Sequence, residues 1–208
     1  MRIPATECPA GRCGREPNAA FLFALRYPVR IARFPKPRDP DPMAARPLIL
    51  YPDPRLDQPS EPVAAFDAGL RDLARDVTET LDAAAAAGLT AAHLGVRRRL
   101  VVLRPEPGGA AAVYVNPEIV ERSPERATAR EGSVSMPGVS EPVERAATIR
   151  VRFCDLDGVE REEAADGFRA ACLQHEIDQL DGVFWIARLS RLRRERAVKR
   201  FAKLRAQP

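Results

Sequence analysis

Gln174-His175-Glu176-Ile177-Asp178-Gln179 sits inside the stretch Asp166–Gly182, and this stretch decides the fold. Phe168, Cys172, Ile177 and Leu180 are its apolar positions, and their spacing predicts a helix from Asp166 to about Leu180. Within it, His175 and Gln179 are four residues apart, so they share one helix face, with Glu176 beside them. A histidine, a carboxylate and an amide at this spacing form a chemical constellation rather than an ordinary amphipathic pattern.

Before this helix the chain reads as short strands. Leu100–Leu103 and Ala112–Val115 are continuous apolar runs, and Ile149, Val151 and Phe153 alternate with Arg150 and Arg152, the pattern of a half-buried strand. Asp157-Gly158 is a hairpin signal, with Val159–Glu163 returning. Further back, Phe66, Leu70, Leu73, Val77 and Leu81 predict an amphipathic helix over about 63–86, started by Ser60 and Pro62 and stopped at Gly88. After the decisive helix, Leu192, Val198, Phe201 and Leu204 give a last helix, about 190–206, an apolar stripe under its arginines. Helix, antiparallel strands and a buried helix imply an α+β fold rather than alternating βαβ units.

The chain has 208 residues and 45% hydrophobic side chains, enough for one domain with a core. No apolar run approaches the ~18 residues of a membrane-spanning helix, so no membrane partner is expected. Four cysteines at irregular spacing are expected as free thiols of a reducing cytoplasm. Cys154 and Cys172 read as small core residues, and Cys172, one turn before His175, is placed to approach the site. The net charge of +4 is uneven: residues 188–208 carry nine basic groups against Glu195, while the body is acidic. Residues 1–42 hold eight prolines and are expected to be a flexible extension, or a misassigned one with translation starting at Met43. The folded domain is then 43–208.

Two further segments belong with the helix: Gly88-Leu89-Thr90-Ala91-Ala92-His93 and Glu131-Gly132-Ser133-Val134-Ser135. With these three motifs, in this order and spacing, the chain resembles the peptide deformylases, cytoplasmic metallohydrolases that remove the formyl group from nascent N-formylmethionyl chains. The resemblance extends over most of 47–205, including Tyr51-Pro52-Asp53-Pro54, Asn116-Pro117, Pro137-Gly138-Val139 and Asp181-Gly182. It implies the peptide deformylase fold, with antiparallel sheets around the helix bearing the His-Glu-x-x-Gln motif.

The family motifs are Gly-x-Gly-Leu-Ala-Ala-x-Gln, Glu-Gly-Cys-x-Ser and His-Glu-x-x-His. Carried over position by position, the metal ligands fall at Ser133, His175 and Gln179, the general acid/base at Glu176, and the oxyanion donors at His93 and the Val134 amide. Gly88, Leu89 and Ser135 fall at substrate-binding positions. The leading glycine of the first motif is Ala86 here. Two of three metal ligands are exchanged. A serine hydroxyl ionises far less readily than a thiol, and a carboxamide oxygen suits calcium better than zinc or iron. Four good ligands bind structural zinc by roughly 10–16 kcal/mol, so the expectation is no tightly held cofactor, with iron or zinc only if the site still functions.

His93 has three readings: a hydrogen-bonding replacement for the oxyanion glutamine, a relocated metal ligand beside His175, or a base for Ser133 as nucleophile. Glu176 reads either as the acid/base or as a carboxylate kept for a structural hydrogen bond, and Asp178 as surface or hinge chemistry. The expected function is a peptide-deformylase-like protein that binds formyl-methionyl peptide ends or nascent chains with weak or no deformylation. The alternative is an active deformylase using His93, or another hydrolase on the scaffold. The basic C-terminal helix is either a solvated cap or a ribosome contact through RNA phosphates.

Overall fold

The computed structural model describes residues 47–106 and 108–206, so the proline-rich stretch 1–42 lies outside the described residues. A five-stranded antiparallel sheet, in the order β1-β2-β3-β6-β7, is built from Gly88–Thr90, Leu100–Leu103, Ala112–Arg122, Thr148–Cys154 and Glu160–Asp166. A separate hairpin pairs β4, Arg126–Gly132, with β5, Ser140–Ala146. Three helices complete the order: α1, Ala68–Ala84; α2, Gly167–Leu180; and α3, Arg191–Arg205.

The sheet is buried on both faces around β2, which explains its unbroken apolar run. Leu100 and Val102 pack under α1 with Leu70, Val77 and Leu81, while Val101 and Leu103 face α2 with Leu173, Ile177 and Leu180. α2 lies against all seven described strands. Its neighbours therefore enclose polar positions as well as apolar ones: Gln174, Glu176, Asp178 and Gln179 are all buried.

The expected α+β class and the helix bearing the His-Glu-x-x-Gln motif are as the sequence indicates, and three boundaries differ. α1 starts at Ala68 because the Asp67 side chain caps it, accepting from Leu70 N at 3.0 Å. The upstream residues are drawn elsewhere: the Asn116 side chain accepts from Val63 N and donates to Val63 O at 2.8 and 2.9 Å. The helix ends at Ala85, which is left-handed at φ 50°, before Gly88 is reached. β3 runs seven residues past the predicted Val115, through an irregularity at Asn116, which has φ 53°. The β4–β5 hairpin has no counterpart among the expected strands. In α3, Phe201 and Ala197 are buried and Val198 and Leu204 pack beside them, but Leu192 is 57% exposed and lies off the stripe.

The exit from α2 depends on Gly182. It has φ 75°, and a Cβ there would stand 2.8 Å from Asp57 O and 2.9 Å from Pro59 N, both backbone atoms. Gly182→Ala is expected to destabilise the fold by about 2 kcal/mol or more. Urea unfolding of the variant checks this, and a change below half that size contradicts the packing described.

Candidate functional site

His175 and Glu176 come from the middle of α2, Ser133 and Val134 from the turn after β4, and His93 from the 3₁₀ turn that follows β1. The first anchor is Glu131, which closes β4. Its Oε2 lies 3.0 Å from His175 Nδ1, while Arg145 of β5 donates through Nε to Oε1 at 2.5 Å and through Nη2 to Oε2 at 2.9 Å. The third Arg145 nitrogen donates to Asp178 Oδ2 at 2.7 Å, and Asp178 is gripped in turn by Arg188. A buried chain of alternating charge thus runs from His175 outward. Asp178 is 8% exposed and a link in this chain, which corrects its reading as surface or hinge chemistry.

Burial works to raise the Glu131 pKa, but the hydrogen bonds from His175 and Arg145 outweigh it and hold the carboxyl at about 2. Glu131 is therefore a carboxylate, and His175 Nδ1 carries the proton that it accepts. Burial disfavours the imidazolium of His175. The Glu131 hydrogen bond and the charges of Glu176 and Glu131 nevertheless raise its pKa overall.

His93 is in the opposite condition. It is 1% exposed, and burial followed by the charge of His175 depresses it to about 3. Its Nδ1 accepts from Thr90 N at 3.1 Å, with the Thr90 hydroxyl at 2.8 Å. A backbone N–H can only donate, so neutral His93 keeps its proton on Nε2. That nitrogen is buried without a protein partner among the described residues. Of the three readings, this geometry matches the donor that replaces the oxyanion glutamine. A relocated ligand would need the Nε2 lone pair, and among the described residues no three His, Cys, Asp or Glu side chains are grouped to hold a metal.

The positions that the resemblance assigns to metal are engaged otherwise. Ser133 Oγ accepts from Ser135 N at 3.1 Å, and the Gln179 amide donates to Leu56 O at 2.7 Å from a wholly buried position. The donor set is therefore a hydroxyl, one imidazole and a carboxamide already tied to the backbone. It does not fit zinc or ferrous iron.

Glu176 Oε2 is buried without a partner among the described residues. Burial is the main reason its pKa rises to about 7, partly offset by His175 and reinforced by Glu131. Its other oxygen lies beneath β1: a Cβ on Gly88 would sit 2.6 Å from Oε1, so a side chain there would displace the Glu176 carboxyl. Leu89 is a core side chain in register with Val102 of β2. Ser135 is wholly buried, with its carbonyl accepting from Tyr51 N and its hydroxyl unpartnered among the described residues. The Val134 amide carries no internal hydrogen bond among the described residues. Cys172 packs against the α2 side of the sheet, and burial, with Glu176 and Glu131 nearby, pushes its thiol well up, so it supplies no thiolate. Glu131, Arg145 and Arg188 are the participants that sequence reasoning missed. Glu131 opens the quoted second motif, and that was the available signal.

This constellation has counterparts. The polypeptide deformylase family model matches residues 45–195. A protein of Brucella melitensis biotype 1 named peptide deformylase-like is 54% identical over 162 residues, 78% of this chain and 99% of its own length. A peptide deformylase of Afipia carboxidovorans is 44% identical over 164 residues, covering 77% of this chain and 96% of that one. Among solved structures, a peptide deformylase from Legionella pneumophila superimposes with a TM-score of 0.75 at 35% identity, over 79% of this chain and 100% of that one. The Ehrlichia chaffeensis peptide deformylase in complex with actinonin gives 0.74 at 34% identity, over 79% and 99%. The family match covers most of the chain and the solved structures share its fold, so the chain belongs to the polypeptide deformylase family.

Proposed function

We propose that this member binds the N-formylmethionyl end of peptides in the cytoplasm, while its altered metal positions leave deformylation weak or absent. The observation that carries this reading is Gln179, whose amide is bonded to Leu56 O where the family pattern has a ligand histidine. Peptide capture has its own support. β1 is an edge strand, so its outer side is open to a peptide backbone, directly above Glu176. The His93 Nε2–H and the Val134 N–H are donors suited to a formyl oxygen. In the family a bound metal supplies activated water. Here a buried carboxyl that titrates near 7 cannot generate hydroxide by itself.

Contact with the ribosome through α3 belongs to the same reading. Arg193 and Arg194 donate to backbone carbonyls of the body, and Arg191 pairs with Glu195. Arg196, Lys199, Arg200 and Lys203 remain for RNA phosphates.

Chain purified without an affinity tag is expected to hold substoichiometric iron and zinc. Its release of free amine from formyl-Met-Ala-Ser should be about 10³-fold or more below that of an active family member, the loss of several kcal/mol of metal stabilisation. One equivalent of metal, with turnover abolished by Glu176→Ala, contradicts the proposal. Ser133→Cys with Gln179→His is expected to restore metal binding.

Glu176 also sets a pH dependence. Its pKa rises from an ordinary 4.5 to about 7 on folding. Within that window the folded chain keeps a proton that the unfolded chain releases, so stability falls as pH rises and levels off above 7. The full penalty is about 3 kcal/mol. Glu176→Gln removes it and should gain stability over wild type at pH 8 but not below pH 4.5. His175 pulls the same way and His93 the opposite, and comparison with the variant separates them from Glu176. A stability difference that does not change with pH, in denaturant titrations across this range, contradicts the assignment.

A further inference from the structure

Behind the peptide site, on the outer side of Arg145, lies a cavity of about 120 Å³ walled by Arg122, Arg126, Arg145 and Arg188, with Asp178, Glu144, Gln174 and Ile119. The arginines come from separate elements: the end of β3, the start of β4, the end of β5 and the turn before α3. Four cations face two carboxylates. Asp178 is already neutralised, bonded to both Arg145 and Arg188. Glu144 is held loosely by Arg126 at 3.4 Å, and both side chains are about half exposed. Arg122 is exposed and has no carboxylate partner among the described residues. Even with Glu131 behind Arg145, one positive charge remains uncompensated.

We infer that this cavity is a binding site for a phosphate group, with the exposed Arg122 and Arg126 as its donors and the buried Arg145 as its floor. The chemistry selects the ligand class. Forked guanidiniums arriving from several directions suit a tetrahedral oxyanion that accepts on every side. The volume is below the ~300–1,000 Å³ of pockets for larger organic ligands. The Gln174 amide is fully used, accepting from Ala146 N and donating to Ala146 O and Ala170 O, so the floor is rigid. Nothing in this site depends on metal or on the formyl-peptide reading.

The full chain, labelled with ¹⁵N, is titrated with inorganic phosphate at constant ionic strength, with potassium chloride as the control. Saturable shifts at the amides of Arg122, Arg126 and Arg188 are expected, absent with chloride and weakened about tenfold in Arg122→Gln/Arg126→Gln. Both residues are exposed, and an otherwise unchanged spectrum verifies the fold of the variant. Non-saturable shifts, or equal affinity in wild type and variant, overturn the site. A short single-stranded RNA then identifies the source of the phosphate. If RNA shifts these amides and phosphate competes, the group comes from a nucleic-acid backbone; if RNA perturbs α3 alone, the cavity takes the free ion.

Discussion

α2 is surrounded by strands, and the polar groups it carries inside, Glu176 Oε2 apart, are met by partners from the surrounding chain. Burying a charge without one costs several kcal/mol, and breaking one side of a buried pair costs roughly 3–5 kcal/mol. Asp178 is answered by Arg145 and Arg188, and Gln179 by Leu56 O. Gln174 bonds to both the N–H and the C=O of Ala146, as a neighbouring strand would. These bonds explain how the β4–β5 hairpin, which pairs with no strand of the large sheet, is kept in place. Its backbone ladder is internal, and its attachment to the body passes through Glu131, Arg145 and Ala146, with Val143 in the core and Pro142 O bonded to Arg193. The hairpin in turn presents Glu131 to His175, so the same bonds that hold the architecture orient the site.

The legible parts of the fold are those whose burial is local and periodic. β2 is apolar without interruption because both its faces are covered, α2 and α3 show helical spacing, and the Asp157-Gly158 turn is bridged by Asp155 N to Val159 O. β4 and β5 were not legible. Arg126, Arg130, Glu141 and Glu144 give them the appearance of a charged loop, and Pro142 breaks the strand pattern. The three motifs located the site residues, but not what holds them. Arg145 looks like any surface arginine until the fold brings Glu131 and Asp178, 14 and 33 residues away, to its two sides. Gln179 and Leu56 are 123 residues apart, and no spacing rule reaches that far.

The two histidines show what separates one imidazole from another on a single scaffold. His175 has a carboxylate on Nδ1 and leans toward the charged form, whereas His93 has an N–H on Nδ1, no anion in contact, and a charged neighbour that keeps it neutral. The sequence offers two identical side chains, and the difference lies wholly in what each ring nitrogen meets. Each tautomer follows from its partner without reference to a ligand.

That division bears on what the site recognises. A metal centre needs converging lone pairs. Here the Nδ1 lone pair of His93 is spent on Thr90, and Gln179, anchored by an N–H bond to Leu56 O, offers a weak carboxamide oxygen in place of an imidazole nitrogen. The groups left without a partner among the described residues include donors: His93 Nε2–H, the Val134 amide and, below about pH 7, the protonated carboxyl of Glu176. A set of donors complements an electron-rich carbonyl oxygen and repels a cation. The proposed holding of a formyl group, rather than its hydrolysis, draws on this: a hydroxyl at Ser133 and a carboxamide at Gln179 stand at the positions where the family pattern has a thiolate and an imidazole. The proton that burial keeps on Glu176 points the same way, because a neutral carboxyl is a good donor and a poor base.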